Sequence, residues 1–115
     1  VKKIYHLSTC DTCKRIINEL NLSSDFVSQD IKNESITLDQ IEEMHQLAGS
    51  YEALFSKRAR LYKERDLKNQ SLTEEDYKKL ILEHYTFLKR PVIIINDQIF
   101  IGNSKKVVES AKLVI

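Results

Sequence analysis

The chain is short of several residue types, and each shortage excludes something. There are two cysteines in 115 residues, and both sit in Cys10-Asp11-Thr12-Cys13. A disulfide framework of the kind that staples small secreted proteins is therefore ruled out, and a reducing cytoplasm is the compartment that fits. There is no second CxxC and no HxxxH pair, and His6, His45 and His84 stand apart in sequence. A closed zinc site needs four ligands, so no metal is expected. No apolar run approaches the ~20 residues that span a bilayer. The 18 basic and 17 acidic residues leave a formal net charge of +1, which gives no argument for direct nucleic-acid or membrane binding. Val1-Lys2-Lys3 leads straight into a strand, so no signal peptide is expected, and an initiator methionine is expected to have been trimmed or omitted. There is one proline, Pro91.

What is present is the composition of a soluble globular domain, 42% hydrophobic and 30% charged, with length for one domain over 1–115. Residues 3–7 read as a first strand and 25–30 as a second, with a helix over 12–20 whose apolar face holds Cys13, Ile16, Ile17 and Leu20. Thr37 with Gln40 forms a capping-box signal, followed by Ile41, Met44, His45 and Ala48 at helical spacing and Gly49 as a C-cap. A basic stretch, 51–67, reads as broken short helices. Ser71 to Asp76 signals another helix start, with Tyr77, Leu80, Ile81 and His84 as its apolar stripe. Strand returns at 92–95, Asn96-Asp97 marks a turn, and 98–101 is the returning strand. Gly102-Asn103-Ser104 caps a last helix over 105–112.

The order is β-α-β, a helical block, then β-β-α. Without the block, about 36–86, what remains is an α/β thioredoxin-like fold, a mixed four-stranded sheet with a helical insertion between strands 2 and 3. Pro91 stands immediately before the third strand, and proline is tolerated at a strand's first residue. In thioredoxin-like folds that place is a cis-proline facing the CxxC, and an X-Pro bond is the one realistic place for a cis peptide.

The CxxC falls where a strand turns into a helix. The helix N-terminus presents unpaired N–H donors and partial positive charge to Cys10, and Lys14 and Arg15 add full charges nearby. Both favour the thiolate, the reactive form, which makes Cys10 a candidate nucleophile. The alternative is a pair of packed, inert thiols. Arg90 is a candidate oxyanion ligand, because a guanidinium fork matches an oxyanion; its alternative is a surface ion pair. Arg58, in Lys57-Arg58-Ala59-Arg60, reads from its neighbours as part of a solvated basic face or a face for an acidic partner. His6 reads as an outward strand residue.

Ser8-Thr9-Cys10-Asp11-Thr12-Cys13-Lys14-Arg15, Ser56-Lys57-Arg58-Ala59 and Lys89-Arg90-Pro91-Val92-Ile93, in this order and spacing, resemble the arsenate reductase/Spx family over essentially the whole chain. The resemblance implies a thiol oxidoreductase in which Cys10 attacks a small oxyanion or a thiol substrate. Arg58 and Arg90 would bind the oxyanion, and Cys13, glutathione, glutaredoxin or thioredoxin would resolve the intermediate, with no bound cofactor. It also implies an alternative: a redox-sensing regulator whose Cys10 and Cys13 toggle between dithiol and disulfide and which binds the RNA polymerase α subunit through protein contacts. The family's third arginine, on or after the last strand, has no counterpart in Phe100-Ile101-Gly102-Asn103. The resemblance therefore implies poor arsenate reduction with thiol–disulfide exchange retained.

Overall fold

Val92-Ile93-Ile94-Ile95 offers no polar face to water. In the computed structural model, which describes residues 1–115, these four residues form an interior strand buried on both faces. The strands are β1 (Lys2–His6), β2 (Val27–Asp30), β3 (Val92–Ile95) and β4 (Gln98–Ile101), in the order β2-β1-β3-β4. β1 runs parallel to β2, with His6 opposite Asp30, and antiparallel to β3, with Ile4 opposite Ile93. β4 returns antiparallel to β3 through Asn96, whose φ of 57° is the left-handed value a tight hairpin needs. The helices are α1 (Asp11–Leu20), α2 (Leu38–Ala48), α3 (Arg60–Glu64), α4 (Glu74–Glu83) and α5 (Lys105–Lys112), with single turns at Glu52–Leu54, Leu67–Asn69 and Tyr85–Phe87. This is the mixed sheet with a helical segment between its second and third strands that the order of elements implies. No helix is long and apolar enough to cross a membrane.

The chain divides into two compact units, Val1–Glu34 with Arg90–Ile115, and Ser35–Lys89. In the first, Ile4, Ile93 and Ile95 of the sheet pack with Ile16 and Leu20 of α1 and Val108 and Ala111 of α5. Fully burying each large aliphatic side chain contributes about 1.5–3 kcal/mol. The alternate sheet residues Tyr5, Val92 and Ile94 are buried too.

The second unit is built on caps and rings. Thr37 Oγ1 accepts the Gln40 N–H at 3.1 Å while Gln40 Oε1 accepts the Thr37 N–H at 3.0 Å. Thr73 and Asp76 repeat the arrangement at α4. Gly49 closes α2 at φ 89°, a value that strains any residue with a Cβ. The Glu74 carboxylate accepts the N–H groups of Tyr51 and Glu52 at 2.7 and 3.1 Å. Phe55 lies among the rings of Tyr77, Phe87 and Tyr62, at centroid distances of 4.8, 5.3 and 5.9 Å.

Several boundaries move from where the sequence put them. β1 spans Lys2–His6, one residue earlier than expected, because Leu7 already begins a turn. β2 starts at Val27, because the Ser23 hydroxyl bonds Asp25 and the Phe26 N–H bonds the Ser23 carbonyl in a turn. α4 is capped by Thr73 and ends at Glu83. His84 therefore lies outside the helix, where its Nδ1 accepts the Thr86 N–H at 3.3 Å and caps the next turn.

Candidate active site at the start of α1

β1 delivers the chain to Leu7, whose carbonyl accepts the Cys10 N–H at 3.0 Å and closes a tight turn over Leu7–Cys10. Cys10 is the N-cap of α1, with extended dihedrals (φ −94°, ψ 113°), and its own carbonyl accepts the Lys14 N–H at 3.1 Å. No side-chain oxygen caps this helix. The first-turn N–H groups are thus left to the thiol. Cys10 is half-buried and Cys13, one turn on, is wholly buried at 0% exposure.

The two thiols are driven apart. Burial alone would raise Cys10, but the Cys13 N–H, the Cys13 thiol, the Arg90 charge and the Thr12 N–H together bring it below an ordinary cysteine. Burial pushes Cys13 up to about 11; the Leu7 backbone opposes this, and a hydrogen bond with Cys10 and the charge of its thiolate add to it. The two sulfurs share that hydrogen bond, so one thiolate held by a neighbouring thiol is the favoured state. The leading full charge on Cys10 is that of Arg90, two residues before β3, and not those of the adjacent, exposed Lys14 and Arg15.

Arg90 is half-buried and Pro91 buried, with a cis bond between them. The Pro91 carbonyl accepts the Gly102 N–H at 2.9 Å, which ties the proline to the loop after β4. That loop carries Gly102 at φ 94° and an exposed Asn103, with no arginine. Cys10, Cys13, Arg90 and Pro91 belong to the first unit; Arg58 belongs to the second, exposed, its N–H donating to Ser56 Oγ at 3.4 Å. No three His, Cys, Asp or Glu side chains gather as a metal ion would require.

His6, expected to face outward, is half-buried, and its Nδ1 is buried without a hydrogen-bond partner. Sequence reasoning also passed over Asp30, whose carboxylate accepts the Ser8 hydroxyl two residues before Cys10. The one signal for it was Asp30-Ile31-Lys32-Asn33, a polar turn directly after a strand.

A sequence model described as the ArsC family matches residues 5–111. The chain is 24% identical over 102 residues to the "Global transcriptional regulator Spx 2" of Bacillus anthracis, covering 86% of this chain and 77% of that one. An arsenate reductase from Vibrio cholerae superposes with a TM-score of 0.79 at 20% identity, covering 99% of this chain and 97% of the other. An ArsC family related protein from Bacteroides fragilis gives 0.77 at 21% identity, covering 95% of each. These structural likenesses establish the thioredoxin-like fold.

Proposed function

The chain belongs to the ArsC family, and from that premise we propose that it is a cytoplasmic thiol–disulfide oxidoreductase with Cys10 as nucleophile and Cys13 as resolving thiol. The observation that carries this reading is the placement of the two thiols: Cys10, half-buried, is the N-cap of α1, and Cys13, one turn on, is buried. The Cys10 thiolate attacks one sulfur of a substrate disulfide. The S–S bond breaks, the departing sulfur takes up a proton, and a mixed disulfide remains on Cys10. Cys13 then gives up its proton and attacks the Cys10 sulfur, which releases the second substrate thiol and leaves a Cys10–Cys13 disulfide. Two electrons from a pair of glutathione molecules, or from the dithiol of a glutaredoxin or thioredoxin, restore the dithiol. Arg90 is proposed to hold the anionic part of a small oxyanion or thiol substrate, and Arg58 is the second cation that the family resemblance implies. No resident cofactor is needed for these steps.

The test is a reductase assay with glutathione, glutaredoxin and thioredoxin as alternative donors, comparing wild type with Cys10→Ser. Loss of turnover in Cys10→Ser with at least one donor active in wild type supports the reading; equal turnover in both overturns it.

A second reading is favoured by the Bacillus anthracis relative, named a global transcriptional regulator, and by the Gly102-Asn103 loop. In it the same thiol pair senses oxidants and the protein binds the α subunit of RNA polymerase. Capture of that subunit by the reduced or the oxidised chain, together with no reductase turnover from any donor, would favour it over the enzyme.

A further inference from the structure

One carboxylate gathers the connection that carries Cys10. Asp30, the last residue of β2, lies opposite His6 in the parallel pairing. One of its oxygens accepts the Ser8 hydroxyl and, at 2.9 Å, Asn33 Nδ2. The other accepts the N–H groups of Ser8 at 3.4 Å and Lys32 at 3.2 Å. Two segments thus converge on it, the connection from β1 to α1 and the turn after β2. That second turn is itself fixed to the sheet. The Ile31 N–H donates to the His6 carbonyl at 2.9 Å, and the Asn33 and Glu34 N–H groups donate to the Asp30 carbonyl at 3.1 and 2.8 Å.

Ser8 is the second residue of the Leu7–Cys10 turn, so the tie grips that turn at its corner. A hydroxyl held by a carboxylate is among the stronger hydrogen bonds. The Ser8 hydroxyl, chiefly, holds the Asp30 carboxyl below the usual carboxylate range against its own burial, helped by the Lys32 and Ser8 N–H groups and the neighbouring His6. The anchor is therefore ionised throughout the range in which a thiol titrates.

We infer that Asp30 is a positioning residue for Cys10: acting through Ser8, it fixes the Leu7–Cys10 turn and so holds the thiol over the first N–H groups of α1. The inference rests on the reading of Cys10 as a reactive thiolate, but it concerns the turn and not the substrate. Asp30 also carries a negative charge, which through space alone would oppose a thiolate. The tie and the charge therefore act on Cys10 with opposite signs, and this makes the inference testable.

The experiment follows iodoacetamide alkylation of Cys10 in the intact chain against pH, read by mass spectrometry of the Cys10 peptide. Ser8→Ala removes the hydroxyl bond and keeps the carboxylate, Asp30→Asn removes the charge and leaves an amide oxygen as a weaker acceptor, and Ser8→Thr keeps a hydroxyl. In Ser8→Ala the inflection should move up by roughly one pH unit, about a tenfold loss of thiolate at pH values below both inflections, and in Asp30→Asn it should move up by less, because loss of the negative charge favours the thiolate. Ser8→Thr should stay near wild type. An inflection unmoved or lowered in Ser8→Ala overturns the inference, whatever happens to the melting temperature. Should Asp30→Asn fail to fold, Ser8→Ala decides alone. A wild-type inflection no lower than that of the unfolded chain would overturn both the inference and the reactive-thiolate reading; a lowered wild-type inflection with unmoved variants overturns only the inference.

Discussion

A thiol set against helix N–H groups, beside a guanidinium, is a different reagent from one buried in a core, and this protein places the two one helical turn apart. Cys10 should therefore alkylate with an inflection below that of the same peptide in urea, and Cys13 should react far more slowly at every pH up to 9, as peptide-level mass spectrometry can resolve. Cys13 also makes a statement about stability. Its folded value of about 11 exceeds the ordinary value of 9.0. An acid raised in this way contributes stability that is fully present below the unfolded value and is lost as pH rises towards the folded value, because the unfolded chain ionises first. The stability margin of wild type over Cys13→Ala should shrink between pH 9 and 11, measured by urea denaturation at stepped pH. A margin constant across that window would show that Cys13 is not held neutral by the fold. At this scale the sequence was legible in part. The CxxC and Arg90 could be read from motif and order, since they lie at element junctions. The dominance of Arg90 over Lys14 and Arg15 could not, because charge on a sulfur follows distance in space and Arg90 is 80 positions away in the chain.

Elements were the most legible layer, because caps and periodicity are local. Thr37 with Gln40, Gly49, and Ser104, whose hydroxyl accepts the Val107 N–H at 3.2 Å, all act where the sequence placed them. The failures came where a side chain chose a tertiary or turn partner over the helix pattern. His84 fits the stripe of α4 by spacing but caps the next turn instead, and Asp25 is drawn into a turn with Ser23 and so leaves β2. Asp30 was missed for a related reason: nothing in the local pattern of β2 says that its last side chain will reach across to Ser8. The reciprocal capping box at α2 is the cleanest test of a local device. Thr37→Ala should lower stability by about 0.5–2 kcal/mol, read as a shift of the urea midpoint, and Thr37→Ser should recover most of it. Equal midpoints in wild type and Thr37→Ala would mean that the box adds nothing to what packing already enforces. By contrast Ile93, which is 2% exposed and interior to the sheet, has no polar substitute. Ile93→Ala should cost about 2–5 kcal/mol.

At the scale of the whole molecule, the proposed chemistry divides into oxyanion reduction and thiol–disulfide exchange, and we propose that the loop after β4 separates them. Thiol exchange needs a thiolate, a resolving thiol and a two-electron donor; the proposed Cys10 and Cys13 pair meets the first two needs within the first unit. Oxyanion reduction also needs enough positive donors to bind and polarise a multiply charged substrate. Arg58 and Arg90 are the two candidates read from the sequence, and the resemblance puts the place of a third at 100–103, where no arginine stands. A hydrogen bond to a charged group is worth about 1.5–3 kcal/mol, so losing one such donor should weaken arsenate turnover roughly ten- to a hundredfold. We therefore expect poor arsenate reduction, compared with a dedicated arsenate reductase assayed alongside with the same donors, while exchange with a small disulfide proceeds. Asn103 is exposed and follows a glycine at φ 94°, so Asn103→Arg places a long cation on the loop without disturbing the core. That variant should gain arsenate turnover and leave disulfide exchange unchanged. Wild-type arsenate turnover equal to that of the dedicated enzyme would show that no third arginine is needed for the oxyanion. The selectivity would then lie in the electron donor, not in the loop.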